Sequence, residues 1–187
     1  MQKLDVFVSE VLLECEGCSN LVAKNYVKSV IQDFCENTHA YIVNLDPLFI
    51  FSGIKEYELD APNNCIIIGI ENVVRGNTVF KSYTYDHVTF ELDSVPNEDF
   101  QLKIKAAIKP TPNVTEVEDR FYNIYSAAII AGVKARLMMQ PAKPWSNPNL
   151  AMKYQADYDN YVSKAKISIN KSASKQKDLS VQMRQFV

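Results

Sequence analysis

From Phe100 to Ile108 apolar and polar residues alternate, with Phe100, Leu102, Ile104, Ala106 and Ile108 on one side of the register and Gln101, Lys103 and Lys105 on the other. Only an extended strand places every second side chain on one face, so this stretch commits the chain to a sheet with one buried and one wet face. The preceding residues fit the same period. Cys65 to Val74 is rich in β-branched residues and too short for a buried helix, and Arg75, Gly76 and Asn77 supply hairpin chemistry before Thr78 to Tyr85. Leu45 to Ile50, Tyr57 to Leu59 and Val88 to Leu92 are short apolar runs separated by turn residues, which places strands between 43 and 109.

On both sides of this region the period changes to that of a helix. Asp5 to Glu14 predicts a first helix (5–14) ending at a turn around Gly17. A second (20–38) follows a Ser19 or Asn20 cap and carries Val22, Tyr26, Val27, Val30, Ile31 and Phe34 on one face. Beyond Pro110 and Pro112, the acids Glu116, Glu118 and Asp119 suit the positive start of a third helix (116–139), whose stripe is Val117, Phe121, Ile124, Ala128, Ala131, Ala135 and Met138. Pro141, Pro144 and Pro148 interrupt it around Trp145, and Asn147 caps a fourth (148–167) with Tyr154, Tyr158 and Tyr161 at helical spacing. The predicted architecture is therefore α+β, a bundle of about four helices with an inserted antiparallel sheet. It forms a single domain over 1–169, with an extended tail from 170 to 187 in which Ser, Lys and Gln dominate.

Composition narrows the functional classes. At 187 residues, 47% hydrophobic and 22% charged, the chain supports one packed core. A formal net charge of -2 supplies no global attraction to phosphate backbones or anionic lipid. The acidic N-terminal stretch predicts no export signal, and the apolar runs at Cys65 to Ile70 and Ala127 to Val133 are too short to span a membrane. Only His39 and His87 are present, without a G-x-S-x-G nucleophile motif or a phosphate-cradling glycine loop, so neither hydrolase nor nucleotide chemistry is expected and no cofactor is predicted.

Cys15, Cys18, Cys35 and His39 have the ligand types of a structural zinc site, and a zinc-stabilised nucleic-acid-binding or regulatory module is the alternative function they define. Convergence is disfavoured, because the second helix separates the Cys15 and Cys18 pair from Cys35 and His39 by roughly 25 Å. Buried free thiols are the expected state. The tyrosine row suits a packing face or subunit contact, and Lys134 and Arg136 are expected either solvated or paired with acids of a neighbouring subunit.

The stretch Ala127 to Ala151, A-A-I-I-A-G-V-K-A-R-L-M-M-Q-P-A-K-P-W-S-N-P-N-L-A, resembles the head-tail adaptor family of tailed bacteriophages, in which an Ala-rich helix enters a K-P-W-S-[ND]-P turn and then a helix with spaced aromatics. The turn at Cys15 to Cys18, F-C-E at Phe34 to Glu36, L-D-P at Leu45 to Pro47 and G-x-x-x-Y at Gly53 to Tyr57 are similar to the family in the same order. The resemblance implies a structural virion protein at the head-tail junction, assembled in the bacterial host cytoplasm and without catalytic residues. It implies a homo-oligomeric ring, a 12-mer, that meets the portal protein on one side and tail or nozzle proteins on the other. Viral DNA would pass through that ring without specific recognition, and no membrane is involved. Pro144, Trp145 and Pro148 then form a structural turn that locks the third helix to the fourth. In the tail, Lys171, Lys175, Lys177 and Arg184 surround Asp178, and Leu179, Val181, Met183 and Phe186 are apolar anchors. Such a segment suits docking on the portal or on a neighbouring subunit.

Overall fold

A computed structural model describes the backbone of residues 1–178 and the side chains through Lys171. Five helices lie in it: α1 (Asp5–Leu12), α2 (Asn20–Thr38), α3 (Asp119–Asn123), α4 (Ser126–Met138) and α5 (Pro148–Asp178). Ten strands lie among the same described residues: β1 (Gln2–Lys3), β2 (Ile42–Asn44), β3 (Leu48–Ile50), β4 (Glu56–Glu58), β5 (Cys65–Arg75), β6 (Thr78–Val79), β7 (Tyr83–Tyr85), β8 (Thr89–Leu92), β9 (Phe100–Pro110) and β10 (Glu116–Val117).

The expectation of about four helices with one inserted sheet and an extended tail is corrected by this architecture. Among the described residues there are five helices and three sheets, with about 26% of the chain in strands. The largest sheet runs β2-β9-β5-β6, with β3 also on β9. A second runs β4-β8-β7, and a third pairs β1 with β10. The predicted helix 116–139 is divided because Glu116 and Val117 pair with Lys3 and Gln2 of β1. Those two residues are therefore extended, and the helical stretch that follows splits into α3 and α4 at Ile124, which is exposed rather than part of a stripe. The last helix, predicted over 148–167, continues to Asp178. Lys, Gln and Ala are good helix formers, and no Gly or Pro stands between Asn149 and Asp178 to stop the chain.

Where local chemistry is strong, the elements follow it. Ser19 caps α2, its hydroxyl accepting from Val22 N–H at 3.4 Å, and the helix closes at His39 in the left-handed region (φ 53). The β5–β6 hairpin turns on Gly76 and Asn77, and of the pair only Gly76 has positive φ, as a type II′ turn requires. Along β9, Leu102, Ile104, Ala106 and Ile108 are buried against Phe90, Leu92, Ile67 and Val73, so the two larger sheets share one apolar core.

A second core joins the helices, with Phe7, Phe34 and Phe121 fully buried. Each such side chain contributes roughly 1.5–3 kcal/mol of apolar burial. Two bulges in β5 connect the cores. The register with β9 shifts at Ile68 and again at Glu71, which turns Ile68 into the helical core and Glu71 toward the end of α2. The His39 ring lies over Gly69 between them, 3.1 Å from where a Cβ would stand, so any larger residue there would have to displace the imidazole by a few tenths of an ångström. Ala107, on the same face, is buried too, and this end of β9 is therefore covered on both sides.

Candidate interaction surfaces

The K-P-W-S-N-P turn between α4 and α5 is held by contacts on several sides. Trp145, half-buried against the helical core, donates its indole N–H to Gln140 Oε1 at 3.3 Å, and Gln140 donates in turn to the Tyr26 hydroxyl on α2 at 2.6 Å. Asn147 donates its backbone N–H to Met138 O at 2.9 Å and accepts from Leu150 N–H at 3.1 Å, which ends one helix and caps the next. Pro144 packs against the Gly17 turn, within 3.8 Å of the Cβ position there. Ala142 adopts the left-handed region (φ 57), and α5 begins at Pro148, where a missing N–H costs nothing.

Lys134 and Arg136 are both paired with acids of their own chain. Lys134, only 8% exposed, meets Glu14 Oε1 at 2.7 Å, and the Tyr154 hydroxyl donates to the other oxygen of the same carboxylate. Hydrogen bonds from Lys134 and Tyr154 hold Glu14 below the usual carboxylate range, and the bond to Glu14 pushes the Tyr154 phenol up to about 12. Arg136 meets Asp33 Oδ2 at 2.9 Å and Ser29 Oγ at 3.1 Å, and the Tyr158 hydroxyl donates to Asp33 Oδ2 at 2.6 Å. Burial first, then this bond to Asp33, raises the Tyr158 phenol. Tyr154 and Tyr158 thus use their rings for packing and their hydroxyls to tie α5 to the turn after α1 and to α2. Tyr161 stays exposed.

The cysteines and His39 do not come together. Cys15, Cys18 and Cys35 are buried free thiols, and among the described residues no group of three His, Cys, Asp or Glu side chains is placed to hold a metal ion. Burial pushes the Cys15 thiol up to about 11 and raises Cys18 and Cys35 as well, which disfavours the thiolate that metal binding needs. His39 Nδ1 is engaged by Glu71 Oε1 at 2.7 Å.

Two surfaces present several apolar side chains together. The first is β3 and the loop that follows it, where Phe49 on the strand and Phe51 in the loop are 60% and 52% exposed and Ile54 is exposed beside them. The Tyr57 hydroxyl accepts from Phe51 N–H at 2.8 Å and lies 3.0 Å from Ile54 O, while Ser52 N–H donates to Asp99 Oδ1 at 2.7 Å and Gly53 N–H to Pro96 O at 2.9 Å. These bonds pin the loop, so its exposed apolar groups are preorganised. The second surface is a groove of about 590 Å³ between α4 and α5, bordered by Tyr26, Met139, Met152, Gln155, Ala156 and Asp159. Met139 and Met152 are 51% and 57% exposed, far more than core methionines.

The two surfaces are built on different elements, the first at the β3 end of the large sheet and the second on the helices. Phe49 and Ile50 pair with Gln101 and Phe100 at the start of β9, whereas the other end of that strand meets α2 through Gln32, whose side chain donates to Pro110 O at 3.0 Å. Ten residues of strand separate those points by roughly 33 Å.

Neither surface stands out in the sequence, where Phe49 falls inside an apolar strand run and Met152 lies off the tyrosine stripe. The available signals were Phe49 and Phe51 flanking a Ser52–Gly53 turn and methionines on both sides of the proline-rich turn.

Of the predicted docking residues, Lys171 is exposed on α5. Lys175 and Lys177 lie on the same helix, but their side chains, like Leu179, Val181, Met183, Arg184 and Phe186, fall outside the described residues. No helix among the described residues is long and apolar enough to cross a membrane. No protein-family model matches the chain, and neither does any curated protein sequence.

Proposed function

We propose that the chain is a structural subunit of a phage head-tail junction, an adaptor that assembles as a ring between the portal and the tail or nozzle proteins. The observation that carries this reading is the presence of two separate exposed apolar surfaces, the Phe49–Ile54 segment with its pinned turn and the α4–α5 groove. A connector subunit needs surfaces for more than one partner, and apolar side chains grouped on two surfaces differ from the single scattered ones normal on a monomer. The K-P-W-S-N-P resemblance supplies the identity of the assembly. The turn it rests on fixes the angle at which α5 leaves the helical core, and α5 carries the basic end of the chain toward a partner. DNA in such a ring passes without base readout, in keeping with the absence of net positive charge.

The test is whether the chain is part of the particle and whether it binds a portal. Mass spectrometry of purified virions should find it at a fixed ratio to portal, and mass determination of the chain mixed with portal should show a ring-sized complex. Absence from particles together with no complex on mixing would remove this function. Replacing Phe51 and Ile54 by Ser should weaken attachment to one partner while leaving the fold unchanged, because both side chains are exposed.

A further inference from the structure

The α4–α5 groove is open along Met139, Met152 and Ala156, with the Asp159 carboxylate at one end, its Oδ1 accepting from Gln155 at 2.9 Å. Arg136 at the groove wall is committed to Asp33, so the carboxylate of Asp159 dominates the charge of this end. An occupant that fits is an apolar segment with a cation near its apolar anchors. The chain itself contains one: residues 179–187, L-S-V-Q-M-R-Q-F-V, with Leu179, Val181, Met183 and Phe186 around Arg184. Charge favours such a pairing at longer range. Residues 170–187 carry four cations and one acid, while the remaining 169 residues carry 16 cations and 21 acids.

Reach decides whose groove is filled. Because α5 runs without a break to Asp178, the helix end lies roughly 28 Å along the axis beyond Asp159 and roughly 39 Å beyond Met152. The nine residues that follow span at most about 30 Å when fully drawn out. They have no length left to reverse direction and lie across Met152 of their own chain. A neighbouring copy has no such restriction.

We propose that the α4–α5 groove of one copy takes residues 179–187 of a second copy, with the apolar anchors on Met139 and Met152 and Arg184 against Asp159. The contact is heterologous, groove to tail, and repeated around a closed set of subunits it leaves no groove empty. It rests on the reading that the chain assembles with its own copies, and adds which two surfaces meet.

The test uses the full chain with a benzophenone-bearing phenylalanine at position 186, mixed with an equal amount of isotope-labelled copies and irradiated. Peptide mapping should show cross-links from position 186 to Met139 or to the 151–159 stretch, in pairs that join a heavy to a light chain. Met152→Asp should reduce that product at least about tenfold, the loss expected when a charge is set in the path of apolar anchors. Circular dichroism and Tm should be unchanged, since Met152 is exposed. Cross-links confined to single chains, cross-links to other surfaces, none at all, or a yield indifferent to Met152→Asp would each overturn the proposal. If the chain still forms rings by mass while these cross-links are missing, the groove assignment falls and the adaptor reading stands. A chain that binds no portal but shows the heavy-light cross-links has the opposite meaning.

Discussion

At Gly132 helix α4 packs closely against both α2 and α5, and Gly132→Ala measures how tightly the helical core is packed. A Cβ at this position would stand 2.8 Å from Val30 Cγ1 and 2.9 Å from Tyr158 Cδ2, well inside van der Waals contact. Neither neighbour yields easily. Val30 is fully buried and stiff at χ1, and the Tyr158 ring is held by its hydroxyl on Asp33 at 2.6 Å. Relieving the overlap requires α4 to shift against two helices, at a cost of about 2–3 kcal/mol for overpacking in a filled core. Helix propensity opposes this, since Ala is better than Gly in a helix interior by roughly 1 kcal/mol. The net expectation is a loss of about 1–2 kcal/mol. In urea this should lower the unfolding midpoint by roughly 0.5 M for an m-value near the upper end of the small-protein range. Val30→Ala opens a cavity and destabilises by itself, but the double variant should be less destabilised than the sum of the two, with a coupling of roughly 1 kcal/mol. A Gly132→Ala midpoint at or above that of the original chain, or strictly additive behaviour with Val30→Ala, would refute the packing geometry.

Three further outcomes follow from the polar ties around α5. Tyr158→Phe keeps the ring but removes the donor to Asp33, and equilibrium unfolding should record a loss of about 1–2 kcal/mol; an unchanged midpoint would mean the bond contributes nothing. Glu14 has its carboxyl held low by Lys134 and Tyr154, so the stability it adds is present above its unfolded value of about 4.3 and is lost as pH falls through the folded value. Urea midpoints measured from neutral to acidic pH should therefore fall less steeply in Glu14→Gln, and parallel curves would contradict the assignment. Trp145→Ala removes a half-buried indole and its bond to Gln140, with an expected loss of roughly 2 kcal/mol and faster proteolysis at the α4–α5 turn; equal protease resistance would show the turn is held without it.

Much of the fold was legible wherever neighbours in sequence are also neighbours in space. The bounds of α2, its Ser19 cap, the Gly76–Asn77 hairpin, the buried face of β9 and the start of α5 at Pro148 all rest on signals within a few residues of the element concerned. Periodicity and caps encode these directly, because each reports a single chain segment choosing its own φ and ψ. The interaction surfaces were less legible, because exposure of an apolar residue is a property of what fails to pack on it. Phe49 reads like any core strand residue until β3 is placed at the end of β9.

What the sequence determined by itself was the elements with strong local signals, α2, the β5–β6 hairpin, the alternation of β9 and the start of α5, together with the burial of Cys15, Cys18 and Cys35. Tertiary structure alone decided which segments pair. Gln2 and Lys3 draw Glu116 and Val117 out of a helix that local signals favour, and the short strands divide between two sheets around one core. It also decided the partners of Lys134 and Arg136, which lie 120 and 103 residues away at Glu14 and Asp33. The physical reason is that such contacts gain their free energy from burial shared between distant segments, and no window along the chain contains both partners.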